Sequence, residues 1–278
     1  MGITREQALD CFSSHDLIGI GMVADAVRRR LHPEGVVTYA IDATISCASL
    51  DSTAIQAEVE EAEADGATGI ALQSSGLDLG ALTTLTSSLK RRCPDLWLQL
   101  SAPASNPESL AQLHAAGLDS IAILGVDADS LTLHRAAHDA GMRTTATMIF
   151  GAGETSADLV AQLEAVRQLQ DETGGFNAFV PISFHGGRDL DDPTAVEYLK
   201  TLAISRMVLD NIDTIQSDWT RQGLKVLQMG LRFGANDACQ VPVQQTKLAT
   251  EEELRRLIRD AGFQPAQRDL GHRVMMLS

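Results

Sequence analysis

The stretch TTATMIFGAGETSADLVAQLEAVRQLQDETGGFNAFVPISF, residues 144–184, carries one complete strand–helix–strand unit. Its two ends, 144–150 and 176–184, are short apolar runs rich in β-branched or aromatic residues, which is typical of buried strands. Between them, 156–175 has apolar residues at helical spacing and ends in glycine, which predicts a helix. Two strands joined by a helix run parallel, so this stretch predicts a parallel sheet.

The same unit recurs along the chain. Apolar runs predict further strands at 36–42, 68–75, 96–102, 120–125 and 212–219, with an eighth near 237–243. These runs are almost continuously apolar, as expected for strands that are covered on both faces. The absence of a G-x-G-x-x-G after the first strand and of a reversal point favours a barrel over a doubly wound sheet. We therefore predict an α/β fold, a (β/α) TIM-type barrel, partial or complete, with six to eight parallel strands.

Helical segments flank the predicted barrel. Residues 1–36 are predicted to be an N-terminal helical segment, in which Thr4 begins a capping box. The barrel spans 37–243. Residues 244–278 are predicted to form a C-terminal helical cap, an extension of the same domain, with a helix that begins after Thr250.

Charge and cysteine usage restrict the class of partner. The chain has 278 residues and a formal net charge of −15, which argues against nucleic acid or an anionic membrane surface as partner. No apolar run is long enough for a membrane span, and the N-terminus lacks the layout of a signal peptide. The four cysteines lie far apart, without zinc or redox spacing. We expect a cytoplasmic protein with free thiols, a small-molecule ligand and no metal site.

Several long sequence segments along the chain carry a family resemblance. They are RRRLHPEGVVTYAID (28–42), RTTATMIFGAGET (143–155), LQDETGGFNAFVPISF (169–184), YLKTLAISRMVLDNIDTIQSDWTRQG (198–223), LRFGAND (231–237) and AGFQPAQRD (261–269). In this order they resemble the radical AdoMet enzymes of the futalosine route to menaquinone. The group includes dehypoxanthine futalosine cyclase, aminofutalosine synthase and the FO synthases. The resemblance implies a partial barrel, a polar nucleoside-like or acyl substrate and a bacterial cytoplasm.

The chain departs from this family where the iron–sulfur cluster would bind. The family holds the cluster on a C-x3-C-x2-C loop after the first strand, because the irons must be ligated by thiolates. Here the loop is TISCASLDS (44–52), in which Cys47 stands alone. Gln73-Ser74-Ser75 replaces the Gly-Gly of the AdoMet site, and a short GVDADSL (125–131) follows the fourth strand. We expect no cofactor: the cluster is predicted to be absent, and AdoMet binding is in question.

The barrel rule places chemistry at the carboxyl ends of strands and selects four candidate catalytic residues. His185 follows the sixth strand and could act as a general acid or base, which an acidic neighbour such as Asp189 would favour; it could also be an exposed loop histidine. Glu154 after the fifth strand is either a ligand contact or a carboxylate at a helix N-terminus. Asp218 is a further candidate acid. Asp237, at the last strand, is either a carboxylate with a shifted pKa or part of a turn.

The same rule, together with the resemblance, selects the candidate substrate-binding residues. Amide side chains suit recognition of a carbonyl group or a nucleobase edge. If 212–219 is a strand, alternation places Gln216 and Asp218 on one face and Ser217 and Trp219 on the other. Trp219 could instead pack against a helix. The complete set of predicted binding residues is Gln73, Ser101, Gln216, Trp219, Gln222 and Asn236.

Two other features have more ordinary explanations. His134 and His138 are four residues apart, which suits zinc, but no third ligand is evident and a helix on the outside of the barrel is favoured. Cys47 could be a nucleophile, although a small buried thiol is more common.

Two functions from different classes remain open. The first is a cluster-free enzyme that performs isomerase-, cyclase-, lyase- or hydrolase-type acid–base chemistry at the barrel mouth. The second is a non-catalytic relative that acts as a partner or regulator of an active enzyme in menaquinone or secondary metabolism.

Overall fold

The computed structural model describes residues 2–47, 51–74, 77–101, 107–186, 192–243 and 249–277. Its strands within these residues are β1 Val36–Ser46, β2 Gly69–Gln73, β3 Trp97–Ser101, β4 Ser120–Ala122, β5 Thr144–Phe150, β6 Phe176–Ser183, β7 Thr214–Ile215, β8 Asp237–Pro242, β9 Gln264–Arg268 and β10 Val274–Leu277. Its helices are α1 Arg5–Ser13, α2 Leu17–Leu31, α3 Ser52–Ala64, α4 Leu79–Arg92, α5 Pro107–Ala115, α6 Ala128–Asp139, α7 Ser156–Thr173, α8 Ala195–Val208, α9 Trp219–Gln222, α10 Leu224–Gly230 and α11 Glu251–Asp260.

Strands β1 to β8 pair in chain order around a ring. Parallel pairing joins β1 through β4 in one sheet and β5 through β7 in another. β8 pairs with β1 and so returns the path to its start. Single bridges mark the two seams: Gly125 with Thr147 beyond the end of β4, and Gln216 with Asp237 between β7 and β8. The predicted (β/α) barrel of parallel strands is confirmed, with eight strands in the ring.

Side chains on β1 alternate between an apolar outer face and a polar inner face. Ile45 and Cys47 are buried in a core that also contains Val59 of α3, so these positions face the helix layer. The intervening residues Thr44 and Ser46 therefore face the interior of the ring, where both are exposed. The outer face of β1 thus packs against the helix layer, and the carboxyl end of its inner face is polar.

The helices begin where the capping signals predicted. Thr4 and Gln7 form the predicted capping box of α1, and Thr250 and Glu253 form the one that begins α11. The segment 1–36 contains α1 and α2 as expected. No helix among the described residues is both long enough and apolar enough to span a bilayer.

The C-terminal segment 244–278 differs from the predicted helical cap. After α11 the chain forms two strands rather than more helix. β9 pairs in parallel with the first half of β1, from Val36 with Gln264 to Ala40 with Arg268, and β10 pairs antiparallel with β9. The sequence QPAQR is too polar to signal a strand by itself. The open edge of β1 below β2 supplies the hydrogen-bond partners that make it one.

The seventh strand is much shorter than the predicted run 212–219. β7 contains only Thr214 and Ile215, and Trp219 already begins α9. The Asp218 side chain explains this early end, because it accepts a hydrogen bond from the backbone N–H of Thr220 and so caps α9. Strand alternation therefore does not extend through Trp219.

Candidate functional site

The carboxyl ends of β1, β2 and β3 bring polar side chains together on the inner face. Ser46, Gln73 and Ser101 are in register across these strands. Ser46 and Gln73 are exposed and Ser101 is half-buried. The structure therefore places two predicted binding residues, Gln73 and Ser101, side by side. Their hydroxyl and amide groups can hydrogen-bond to a ligand without adding charge.

A cavity of about 250 Å³ lies inside the ring, and we call it the chamber. Side chains from β3, β5, β6 and β8, and from α9 and the segment before it, line the chamber. Gln216 and Asp218, both predicted from the sequence, lie on this wall together with Thr220 and Arg221. The wall thus combines apolar surface with a few converging polar groups, which is typical of a small-molecule site.

Asp218 and Trp219 have different surroundings. Asp218 is 7% exposed, and its Oδ1 accepts from the Thr220 hydroxyl at 2.6 Å as well as from the Thr220 backbone. Trp219 is 2% exposed and belongs to the main apolar core. The structure thus places Trp219 among packing residues, and it places Asp218 on the chamber wall as a helix cap.

Asp237 lies on the floor of the barrel. It is the first residue of β8 and is fully buried. Its carboxylate accepts from Arg268 at 2.5 and 2.8 Å, from the Thr38 hydroxyl at 2.6 Å and from Gln216 at 3.0 Å. Burial alone would raise the pKa of Asp237, but the Arg268 guanidinium outweighs this and holds the pKa below its usual value. The Asp237 carboxylate is therefore ionised and fully engaged.

Asn236 also belongs to the floor. Its Oδ1 accepts from Arg206 at 2.7 Å and from the backbone N–H of Ile215 at 2.9 Å. Its Nδ2 lies 3.1 Å from Nε2 of His32. Arg206 is itself fully buried and donates to the carbonyl oxygens of Ile212 and Gly234. Asn236 therefore ties β7 to the helix layer, away from the chamber.

Ser183, His185 and Asp192 form a row at the carboxyl end of β6. The Ser183 hydroxyl lies 2.8 Å from Nε2 of His185, and Nδ1 of His185 lies 3.3 Å from Oδ2 of Asp192. The tautomer protonated on Nδ1 satisfies both contacts, because it donates to Asp192 and accepts from Ser183. Gln222 donates from Nε2 to the same Ser183 hydroxyl at 2.5 Å. The row therefore joins two predicted residues, His185 and Gln222, through one serine.

The row lies on the rim of the barrel. Ile182 lines the chamber, so alternation turns Ser183 towards the outer face. The His185 side chain is 38% exposed and can exchange protons with solvent or a ligand. The backbone N–H of Gly186, and then the His185 side chain, lower the pKa of Asp192. Asp192 is thus an anion that can orient His185 near neutral pH.

Glu154 holds its own loop in place. Its Oε2 accepts from the backbone N–H groups of Gly151 and Ala152, both at 2.9 Å. Thr155, not Glu154, caps α7. Glu154 therefore shapes the turn after β5, and the structure does not bring it into contact with His185 or the chamber wall.

The two histidines of α6 pack against the barrel. His134 is fully buried with Nδ1 2.8 Å from the Thr144 hydroxyl, and His138 contacts the same hydroxyl through Nε2 at 2.8 Å. Both rings meet the edge of Phe176. Burial lowers the pKa of His134 to about 3 and that of His138 to about 4. These are neutral packing residues, which agrees with the expectation that α6 lies outside the barrel.

The four cysteines lie on separate elements as free thiols: Cys11, Cys47, Cys93 and Cys239. Cys47, from the loop after β1, is 2% exposed and faces the helix layer rather than the chamber. Burial, and then the nearby Glu58 charge, raise its pKa. Among the residues that the structure describes, no group of three or more His, Cys, Asp or Glu side chains could hold a metal ion.

Three residues escaped prediction from the sequence. Ser183 and Asp192 belong to the row that contains His185. The sequence pattern that could have identified them is S-x-H at 183–185 followed by D-D-P at 191–193, shortly before a helix. Asp42 lies on the inner face of β1, and alternation along VVTYAID would have identified it. Asp189, the acidic neighbour considered for His185, lies outside the described residues.

A family model described as the CofH/MqnC C-terminal region matches residues 173–276. A cyclic dehypoxanthine futalosine synthase of Streptomyces coelicolor is 31% identical over 335 residues, covering 96% of this chain and 84% of that protein. The protein of the same name from Halalkalibacterium halodurans is 28% identical over 340 residues, covering 98% and 91%. Since 98% of 278 residues is about 272, this alignment leaves about 68 of its 340 positions as gaps in the present chain.

Solved structures support the barrel fold. HydG, a maturase of the [FeFe]-hydrogenase, superposes with a TM-score of 0.74 at 15% identity, covering 95% of this chain and 72% of HydG. Methylornithine synthase superposes with a TM-score of 0.75 at 13% identity, covering 96% and 95%. At these identities the likeness concerns the fold alone.

Proposed function

The chain belongs to the family of the cyclic dehypoxanthine futalosine synthases, radical AdoMet enzymes of the futalosine pathway, and we propose that it is a member without an iron–sulfur cluster. It binds a polar, nucleoside-like small molecule at the barrel mouth. It acts on that molecule by acid–base chemistry, of isomerase, cyclase, lyase or hydrolase type, in the cytoplasm.

The donor set supports the loss of the cluster. A cluster with one open iron needs three thiolates on one loop. The loop after β1 has one thiol, Cys47, and that thiol packs beneath α3 on the outer face. Burial also keeps Cys11, Cys93 and Cys239 protonated, because it raises the pKa of each thiol. The residues present therefore do not fit the cluster, and no step is derived through it or through AdoMet.

The inner wall supports a polar small molecule. Gln73 and Ser101 offer an amide and a hydroxyl at neighbouring strand ends, and Gln216 offers an amide on the chamber wall. Such groups bind the hydroxyl and carbonyl groups of a sugar or nucleobase. The net charge of −15 makes nucleic acid and anionic membranes poor partners.

The row of Ser183, His185 and Asp192 is the observation that carries the proposal. Nε2 of His185 takes up a proton from the ligand, directly or through the Ser183 hydroxyl, and returns it at the end of the reaction. Asp192 fixes the tautomer and stabilises the imidazolium that forms. Gln222 holds the serine oxygen in place. This chemistry needs no electron donor.

The other three candidate catalytic residues have supporting roles. Asp218 faces the chamber and positions α9 beside it. Glu154 fixes the loop after β5, next to the rim. Asp237 keeps Gln216 oriented from below.

A second candidate function is a non-catalytic partner or regulator of an active enzyme in the same pathway. The observation that favours it is the engagement of Glu154, Asp218 and Asp237 in contacts within the protein. His185 is then the one proposed acid–base residue whose side chain remains substantially exposed.

Replacing His185 tests the two functions against each other. We expect His185→Gln to lower turnover of dehypoxanthine futalosine by about 100-fold or more, because a positioned acid–base group contributes about that much. Its melting temperature and its affinity for the ligand should stay close to those of the wild type. Turnover is measured by mass spectrometry and affinity by calorimetry, with His15→Gln on the exposed α1–α2 connection as the matched control.

Equal turnover in wild type and His185→Gln would refute the catalytic role of the row. Binding of the ligand without turnover by the wild type would favour the regulator.

A further inference from the structure

Asp42 lies inside the barrel between β2 and β8. It is in register with Gly69 on one side and with Pro242 on the other. Alternation from the outward-facing Ile45 puts its side chain on the inner face, above the floor formed by Asp237 and Arg268. Asp42 therefore lies inside the ring, two residues before the inward-facing Thr44 on the same strand.

The Asp42 carboxylate lacks a partner for one oxygen. Oδ1 is buried and has no hydrogen-bond partner in the structure, while the residue as a whole keeps part of its surface accessible. A buried carboxylate oxygen without a donor destabilises the folded state, so natural proteins retain one chiefly for a purpose. Rotation about the soft χ2 of aspartate can turn either oxygen towards the interior of the ring.

The groups around Asp42 determine whether any protein donor can hydrogen-bond to its Oδ1 atom. The charged and titratable groups that interact with Asp42 are Arg268 on β9 and Cys239 on β8, and β2 has none. Nε and Nη2 of Arg268 already donate to Asp237, and Nη1 donates to the Asp269 carbonyl oxygen. Burial raises the pKa of Asp42 to about 6, although the charge of Arg268 and a hydrogen bond from its own backbone lower it. The Oδ1 atom therefore remains available to the donor of a ligand.

We infer that Asp42 anchors a neutral or cationic ligand on the inner face of β1, inside the ring and beside the chamber, by accepting a hydrogen bond from one of its O–H or N–H groups. The inference rests on the proposed function, since it concerns the ligand of the same site. It restricts that ligand to molecules that carry an O–H or N–H group at the end that lies deepest in the barrel. Cys239, which interacts electrostatically with Asp42, lines the chamber and connects the two locations.

The first test needs no ligand. The pKa of Asp42 lies higher in the folded protein than in the unfolded chain, so the folded state loses stability as pH rises through that interval. Asp42→Asn removes the unpaired charge and should raise the melting temperature at pH 8 by roughly 2–4 °C, with a smaller gain at pH 5. Asp237→Asn, a matched change in a paired carboxylate, should lower it at both pH values. A loss of stability in Asp42→Asn that matches Asp237→Asn would make Asp42 structural and overturn the inference.

The second test follows the carboxylate directly. In protein labelled with ¹³C-aspartate, the Asp42 carboxyl resonance is assigned by its loss in Asp42→Asn, and it is titrated with dehypoxanthine futalosine and with adenosine. A saturable shift, with affinity weakened roughly 10- to 100-fold in Asp42→Asn, supports the anchor. A shift with adenosine alone refutes the proposed substrate but keeps the anchor. A resonance that neither probe moves overturns it.

Discussion

At the residue scale, one ion pair controls the floor of the barrel. Arg268 and Asp237 are 1% and 0% exposed, and their contact joins the C-terminal strand β9 to the ring strand β8. Burying two charges is unfavourable unless each is fully hydrogen-bonded. Thr38, Gln216 and the backbone N–H of Cys239 supply the remaining bonds to Asp237. The ion pair therefore has a structural role, and the geometry of the chamber above it depends on this role.

Removing one charge of this pair should be strongly destabilising. We expect Asp237→Asn to lower the free energy of unfolding by about 3–5 kcal/mol, because Arg268 would be left buried and uncompensated. Urea denaturation followed by circular dichroism measures the change. Asp192→Asn is the control: that carboxylate is 58% exposed and its replacement should alter stability by less than about 0.5 kcal/mol. Similar small effects for both variants would contradict the structural role of Asp237.

Asp237 also shows why part of the site could not be predicted from the sequence. The sequence selects Asp237 as a candidate residue of the barrel mouth, although it also predicts the eighth strand near 237–243. In the structure Asp237 begins β8. It therefore lies at the amino end of a parallel strand, opposite the mouth. The link between His185 and Gln222 through Ser183 depends on side-chain geometry that sequence spacing does not specify.

At the element scale, most strands of the ring followed from apolar runs bounded by glycine, but the short β7 and the two C-terminal strands β9 and β10 did not. β5 occupies 144–150 as predicted, because Ala146, Met148 and Phe150 on its outer face are buried in the main apolar core. β7 is cut short by the cap at Asp218, a local side-chain bond that competes with the strand. β9 is polar, and its strand conformation comes from pairing with β1. The periodicity of apolar residues indicates which faces are buried. It therefore identifies strands and helices that bury an apolar face, and it misses elements that are set by hydrogen bonds to other parts of the chain.

The two C-terminal strands should differ in importance. β10 is an edge strand with Val274, Met275 and Met276 exposed, so a chain that ends after Arg273 should lose only about 1–2 kcal/mol of stability. A chain that ends after Phe263 also loses β9 and with it Arg268, and it should not fold. Thermal melts followed by circular dichroism distinguish the two. A cooperative melt for the shorter chain would show that β9 is dispensable.

At the scale of the whole molecule, the chain keeps the barrel of its family with fewer residues. It aligns over nearly its full length with the relative from Halalkalibacterium halodurans, yet about a fifth of the alignment consists of gaps on its side. The ring of eight strands closes without those residues. The loop after β1 retains a single thiol, which faces the helix layer. The chain thus has the barrel of its family together with a loop after β1 that contains one cysteine.

The most direct measurement is anaerobic iron–sulfur reconstitution of the full chain, with iron and sulfide assayed and the visible spectrum recorded. A family member with three loop cysteines and a Cys47→Ser variant of this chain are treated in parallel. We expect iron and sulfide at the level of the Cys47→Ser variant and none of the visible charge-transfer absorbance of a thiolate-ligated cluster. Stoichiometric iron and sulfide that depend on Cys47 would contradict this expectation, because the chain would then assemble the cluster from cysteines that this structure keeps apart.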